Sequence, residues 1–280
     1  MPELPETETI ARDLDEEVRG ALIVGVSVTR SDVLRESTPR KLAEFATGRR
    51  IGRVWRRAKC IVLDLQAKGE REPSHIVVQP RFTGGLFIEV DATDPKELTY
   101  SNVTFDLDDG RHLHYRDVRR LGTVTPMTAD RFRDYSGSLG VEPLDDALSS
   151  ADLSALLRAS SRAVKVVLMD QRRLAGVGNI YASEALWRAG IDPSRAADSL
   201  KADDVFRLFH ELRAVLRASI EARGTSFRDY RDARGQRGAF VEQLQVYGRE
   251  GQPCNRCGKR LIGTHAIDGR GTVFCAYCQR

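Results

Sequence analysis

Four cysteines near the C-terminus constrain this chain more than any other feature: Cys254-x-x-Cys257, seventeen residues, then Cys275-x-x-Cys278. Two tight knuckles at that spacing bring four thiolates to one tetrahedral ion, so residues 244–280 read as a zinc-ribbon β-hairpin. The alternative is a pair of disulfides. The chain does not open on a basic patch followed by an apolar core, so export is not expected and the mature protein is expected to start near residue 1. A reducing compartment then disfavours disulfides, and the expected address is cytoplasmic and nucleoid-associated. A closed four-thiolate shell has no open position, so one structural zinc is expected. Cys60, alone inside "CIVLDL", reads as a small buried core residue.

The 280 residues are enough for two domains with separate cores. With 41% hydrophobic and 30% charged residues, and no run near the roughly 18 apolar residues of a membrane span, the chain reads as soluble, with no membrane partner. The formal net charge is only +4, yet residues 211–280 carry 13 Lys/Arg against 7 Asp/Glu. That basic end fits either a polyanion partner or an ordinary solvated surface.

The local patterns describe an α+β chain of several parts. "TETIARDLDEEVRG" has helical apolar spacing, with Pro5 at its start and Gly20 at its end. From about residue 22 to 125 come short strand-like runs, "LIVGVSV", "CIVLDL", "HIVVQP", "GLFIEV", "VTFDL" and "HLHY", which predict an antiparallel β-sandwich behind the leading helix. The expected boundaries are 1–132 for this domain, 133–150 for a turn-rich linker holding at most a short helix, 151–243 for a helical domain and 244–280 for the cysteine module. Four helices are predicted in the third part, from "SADLSALLRAS", "RAVKVVLMDQ", "NIYASEALWRAG" and "KADDVFRLFHELRAVLRASIEARG". The Gly- and Arg-rich stretch 224–252 reads as a loop leading into the cysteines.

Three stretches admit both a chemical and a structural reading. In "GVGN", Gly176 and Gly178 precede Asn179 at a helix start, where backbone N–H groups can seat a phosphate or simply form a packing turn. Lys59 in "RRAKCIVLDL" stands at the edge of a buried strand, where it either enters a cleft as an acid or base or reaches solvent. In "QPRFTGG" and "RDVRRLG", Phe82 beside Arg81 and Leu121 beside Arg119 and Arg120 put cations next to apolar side chains. That pairing suits a wedge into an opened duplex, and equally an ordinary hairpin tip.

In chain order, "MPELPE", "RRAK", "RRLG", "LMDQRRLAGVGNIYASEAL", "QLQVYGREGQPC" and the four-cysteine ribbon closely resemble the formamidopyrimidine-DNA glycosylase and endonuclease VIII family of base-excision repair enzymes. The resemblance covers essentially the whole chain, and the "MPELP" start is similar to the formamidopyrimidine-DNA glycosylase branch. It implies that Met1 is removed and that Pro2 becomes a secondary-amine nucleophile forming a Schiff base with a damaged nucleotide. It also implies that Glu3 is the acid, that Lys59 moves protons in β-elimination, and that Arg270 binds phosphate and serves δ-elimination. Glu6 and Glu184 match two further active-site carboxylates. The helical domain is implied to be a helix-two-turn-helix domain in which Asn179 holds DNA, and "TSFRDYRDARGQRGAF" resembles a lesion-capping loop. Damaged double-stranded DNA is the implied partner, bound by a monomer.

The chain departs from the family pattern where the duplex is entered. "QPRFTG" replaces the usual "HLGMSG" or "HLGMTG", making Phe82 the wedge residue. Arg119 matches the inserted arginine, but Leu121 stands where phenylalanine is usual. Tyr100 replaces a common histidine, and Ser160 a common lysine, with Arg162 close by as a compensating cation. The expected activity is that of a bifunctional DNA glycosylase/AP lyase on oxidised purines. The same chemistry on oxidised pyrimidines, and a catalytically inactive zinc-dependent DNA-binding protein, are the alternatives.

Overall fold

The computed structural model describes every residue except Met1, Asp91, Ala92 and Arg228. The chain forms two compact units, one running through Gly137 and taking in Ala222–Ala239, the other made of Ser138–Glu221 and Phe240–Arg280.

The first unit begins with α1 (Leu4–Val18), β1 (Ile23–Val28), α2 (Pro39–Ala46) and β2 (Arg50–Arg57). It continues through β3 (Cys60–Gln66), β4 (Ser74–Gln79), β5 (Gly84–Ile88) and α3 (Pro95–Thr99), then β6 (Ser101–Leu107), β7 (His112–Asp117), β8 (Thr123–Met127) and α4 (Ala129–Gly137). The strands pair into two antiparallel sheets ordered β1-β6-β7-β5 and β2-β3-β4-β8. One apolar core joins them, taking Phe105 and Leu113 from the first sheet and Leu63 and Ile76 from the second. α1 adds Ile10, Leu14 and Val18, spaced four apart on one face and each fully buried. Each such side chain contributes about 1.5–3 kcal/mol. This is the expected sandwich with a leading helix.

Three elements of this unit carry weak local signals. In β2, only Ile51 and Val54 are buried, and a register shift between Ile51 and Arg53 breaks the two-residue alternation. β8 is short and contains Pro126, and the eight-residue α2 depends on its Thr38 cap and Pro39 start. α4 crosses the expected domain boundary at 132/133 because Phe132 packs in a cluster with Cys60, Val62, Val77 and Met127.

Ala222–Ala239 was expected within the helical domain, whereas its contacts place it with the sandwich unit. Its Tyr230 and Ala233 enter the sandwich core. Arg223 donates to Asp232 at 2.6 Å and to Asp13 of α1 at 2.5 Å.

The second unit holds α5 (Ser150–Arg158), α6 (Val164–Leu168), α7 (Asn179–Ala189) and α8 (Ala202–Glu221), followed by the β-hairpin β9 (Ile262–Thr264) and β10 (Thr272–Phe274). α7 buries residues on all its faces, which marks it as the central helix of this unit. Gly190 ends it in the left-handed conformation at φ 73°, as a C-terminal glycine commonly does. Among the described residues, no helix is long and apolar enough to cross a membrane.

Candidate active site and nucleic-acid interface

Pro2 is buried and lies immediately before α1. Glu3 is the N-cap of that helix, and Glu3 and Glu6 form a reciprocal capping box, satisfying backbone donors that a helix start leaves open. The Glu6 carboxylate is shared: Glu3 N–H donates to Oε2 at 2.8 Å, and Thr225 N–H donates to Oε1 at 2.8 Å. Tyr230 O–H donates to the Glu6 carbonyl at 3.4 Å, and burial raises that phenol well above its usual pKa. Glu6 is therefore the tie between the helix start and the 222–239 segment. Gly224 sits at φ 87°, and a Cβ there would come within 2.9 Å of the Tyr230 ring and 3.0 Å of Glu6 Cγ, so only glycine fits.

Lys59 occupies the tip of the tight β2–β3 hairpin, in which Arg57 pairs with Cys60. Its neighbour Ala58 has φ 55°, a left-handed conformation that costs an L-residue about 1–2 kcal/mol. The flanking arginines hold that turn. Arg56 donates to Ala58 O at 3.0 Å and to Glu8 of α1 at 2.8 Å, and Arg57 donates to Ser136 Oγ at 3.0 Å. In "RRAK" the arginines are thus framework, which the motif alone did not distinguish from chemistry.

Phe82 and Leu121 are 45% and 42% exposed, in the β4–β5 and β7–β8 loops. The Arg119 guanidinium lies 5.1 Å above the Phe82 ring, close enough for a cation–π contact. Arg81 and Arg120, one in each loop, adopt φ 52° and 53°. Tyr100, 43% exposed, closes α3 with the Arg116 guanidinium 5.9 Å from its ring.

In the second unit, Asn179 is the first residue of α7 behind Gly178. The preceding turn is stapled by Gln171, which accepts from Gly176 N–H at 2.9 Å and donates to Val177 O at 2.8 Å. Asn179 Nδ2 donates to Gly271 O at 2.9 Å. The structure thereby gathers Asn179 and exposed Arg270 at one place, the α7 start against the β9–β10 loop. Fully buried Lys165 donates to Thr272 Oγ1 at 2.5 Å and anchors that loop from beneath. Ser160 lies in the α5–α6 connection, where Arg162 is paired with Asp170 at 2.8 Å. Glu184 is fully buried and accepts backbone N–H groups from Gln245, Val246 and Tyr247, each at 2.9 Å. Burial raises its pKa against those donors. This geometry makes Glu184 an anchor for the segment leading to the cysteines.

The four cysteine sulfurs lie within 4.8 Å of one another, with Cys257–Cys275 at 3.5 Å and Cys254–Cys278 at 4.0 Å. A tetrahedral ion with metal–sulfur bonds near 2.3 Å needs sulfurs about 3.8 Å apart, so the set fits a metal ion. Cys254 and Cys275 are buried.

Residues 1–124 match the family model of the formamidopyrimidine-DNA glycosylase N-terminal domain, and residues 139–231 that of the formamidopyrimidine-DNA glycosylase H2TH domain. The formamidopyrimidine-DNA glycosylase of Heliobacterium modesticaldum is 40% identical over 283 residues, covering 100% of both chains. That of Roseiflexus sp. is 39% identical over 281 residues, again with 100% of both covered. Among solved structures, the Thermus thermophilus MutM (Fpg) protein aligns with TM-score 0.85 at 36% identity, covering 99% of this chain and 98% of that one. Lactococcus lactis Fpg in complex with abasic-site DNA aligns with TM-score 0.88 at 28% identity, covering 99% of each.

Proposed function

Because the chain belongs to the formamidopyrimidine-DNA glycosylase family, and is by that membership a DNA glycosylase, we propose that it excises oxidised purines from duplex DNA through an N-terminal proline and then cuts the strand. The observation that carries this reading is the placement of Pro2 directly ahead of the α1 capping box held by Glu6. Met1 lies outside the described residues; its removal would turn the Pro2 nitrogen from an amide into a secondary amine. Partial positive charge at the helix start disfavours protonation of that amine and keeps its lone pair available.

The nitrogen lone pair attacks C1′ of the damaged nucleotide, and the electrons of the glycosidic bond leave with the base, which takes up a proton. After the amine loses its proton, the nitrogen lone pair expels the ring oxygen O4′, Glu3 protonates that oxygen, and an iminium remains. Loss of a C2′ proton, with Lys59 in the transfer, releases the 3′-phosphate by β-elimination. A second elimination releases the 5′-phosphate, with Arg270 holding phosphate.

Phe82, Arg119 and Leu121 enter the duplex. Tyr100, Ser160, Asn179 and Arg270 hold its backbone in this reading. The four thiolates hold one zinc, a structural ion that fixes the hairpin presenting Arg270. The protein acts as a monomer on chromosomal DNA in the cytoplasm.

Excision from duplexes carrying 8-oxoguanine, formamidopyrimidine or thymine glycol tests the substrate class. Faster release of the two purine lesions supports the proposal, and faster release of thymine glycol overturns it. A second reading, oxidised pyrimidines, draws on a Lactococcus lactis Fpg structure containing oxidised-pyrimidine DNA, and the same panel measures it.

A further inference from the structure

Both loops assigned to duplex entry converge on one buried acid. Asp117, the last residue of β7, is 1% exposed. Its Oδ1 accepts from the Thr83 hydroxyl of the β4–β5 loop and from Arg119 N–H of the β7–β8 loop at 3.2 Å. Oδ2 accepts from Gly122 N–H at 2.8 Å and from Tyr115 O–H at 3.2 Å. Thr83 Oγ1 also accepts from Arg119 N–H at 3.0 Å, so the hydroxyl is a direct bridge between the loops. The fit is tight. A Cβ at Gly122 would stand 2.2 Å from the Tyr115 oxygen and 2.6 Å from Gln79 O. Four donors converging on one carboxylate leave it no lone pair for substrate, and any uncharged replacement orphans part of the set.

We propose that Asp117, through Thr83, is a positioning residue that locks the Phe82 and Arg119–Leu121 loops into one rigid wedge, so that both enter the duplex together and read the orphaned opposite base. The Arg119–Phe82 cation–π pair is the working edge of that wedge, and the Asp117–Thr83 bridge sets its spacing. A wedge that needs no rearrangement on binding spends less of its interaction energy on ordering. Asp117 contacts no DNA in this scheme. The inference rests on the duplex-entry reading of Phe82, Arg119 and Leu121.

The test uses the zinc-loaded full chain and a duplex with 2-aminopurine opposite the lesion, where unstacking of the opposite base raises fluorescence. Thr83→Ala should cut the amplitude of that rise at least threefold, raise KM for duplex substrate about tenfold with little change in kcat, and flatten the opposite-base preference. Thr83→Ser should restore all three. Asp117→Asn should act in the same direction, with thermal melting run alongside to separate misfolding from misplacement. Phe82→Ala and Arg119→Ala are the reference variants. If they abolish the signal while Thr83→Ala leaves signal, KM and preference intact, the bridge has no positioning role and the proposal fails alone. If the reference variants also change nothing, the duplex-entry reading falls, and the proposal with it.

Discussion

Pro2, Glu3 and Glu6 divide one task by their positions at the start of α1. In the proposed mechanism Pro2 carries the reactive nitrogen, while Glu3 caps the helix and Glu6 joins the cap to Thr225 across 219 residues of sequence. Pro2→Gly, which leaves a primary amine at the mature terminus, should retain the Schiff-base route with lyase turnover at least tenfold lower in a gel-based strand-cleavage assay. One extra residue held on the N-terminus should abolish turnover, since the nitrogen is then an amide. Glu6→Gln places an N–H donor against one of two backbone donors, costing about 1–3 kcal/mol. Melting temperature and lyase rate should fall together in that variant. The four-cysteine set was legible from its spacing alone, whereas Pro2, Glu3 and Lys59 stood out only through their resemblance to family motifs. Thr225, Gly224 and Asp117 were legible by neither route, since their roles arise from contacts between distant segments.

The elements show the same division. α1, α7, α8 and the alternating strands announce themselves by period, whereas β2 hides behind arginines and a register shift, and Ala222–Ala239 gave no local sign that it joins the sandwich core. Glu184 shows how an acid in a motif can serve an element: Glu184→Ala would strand three backbone N–H groups, and should lower stability by about 2–4 kcal/mol in chemical denaturation. The Arg56–Glu8 pair ties the β2–β3 hairpin to α1, and although burial of Glu8 opposes ionisation, Arg56 and Arg12 outweigh it and lower its pKa. A depressed carboxylate contributes stability above its unfolded pKa, near 4.3, and loses it as pH falls through the lower folded value. Glu8→Gln should therefore cost on the order of 1 kcal/mol at pH 7. Its melting temperature should converge with that of the parent as pH falls below about 4.

For the whole molecule, the basic C-terminal end and the four-thiolate site belong to one account of DNA holding. Native mass spectrometry should find one zinc per chain. Stripping it with a thiol-reactive agent and chelator should weaken retention of lesion-bearing duplex at least tenfold, because the β9–β10 loop bearing Arg270 loses its frame. The chemistry itself is tested by borohydride reduction during reaction with 8-oxoguanine duplex, followed by peptide mapping of the trapped protein–DNA adduct. The predicted result is a crosslink on Pro2 at the mature N-terminus; a crosslink on Lys59, or no adduct with any oxidised base or abasic site, would contradict it.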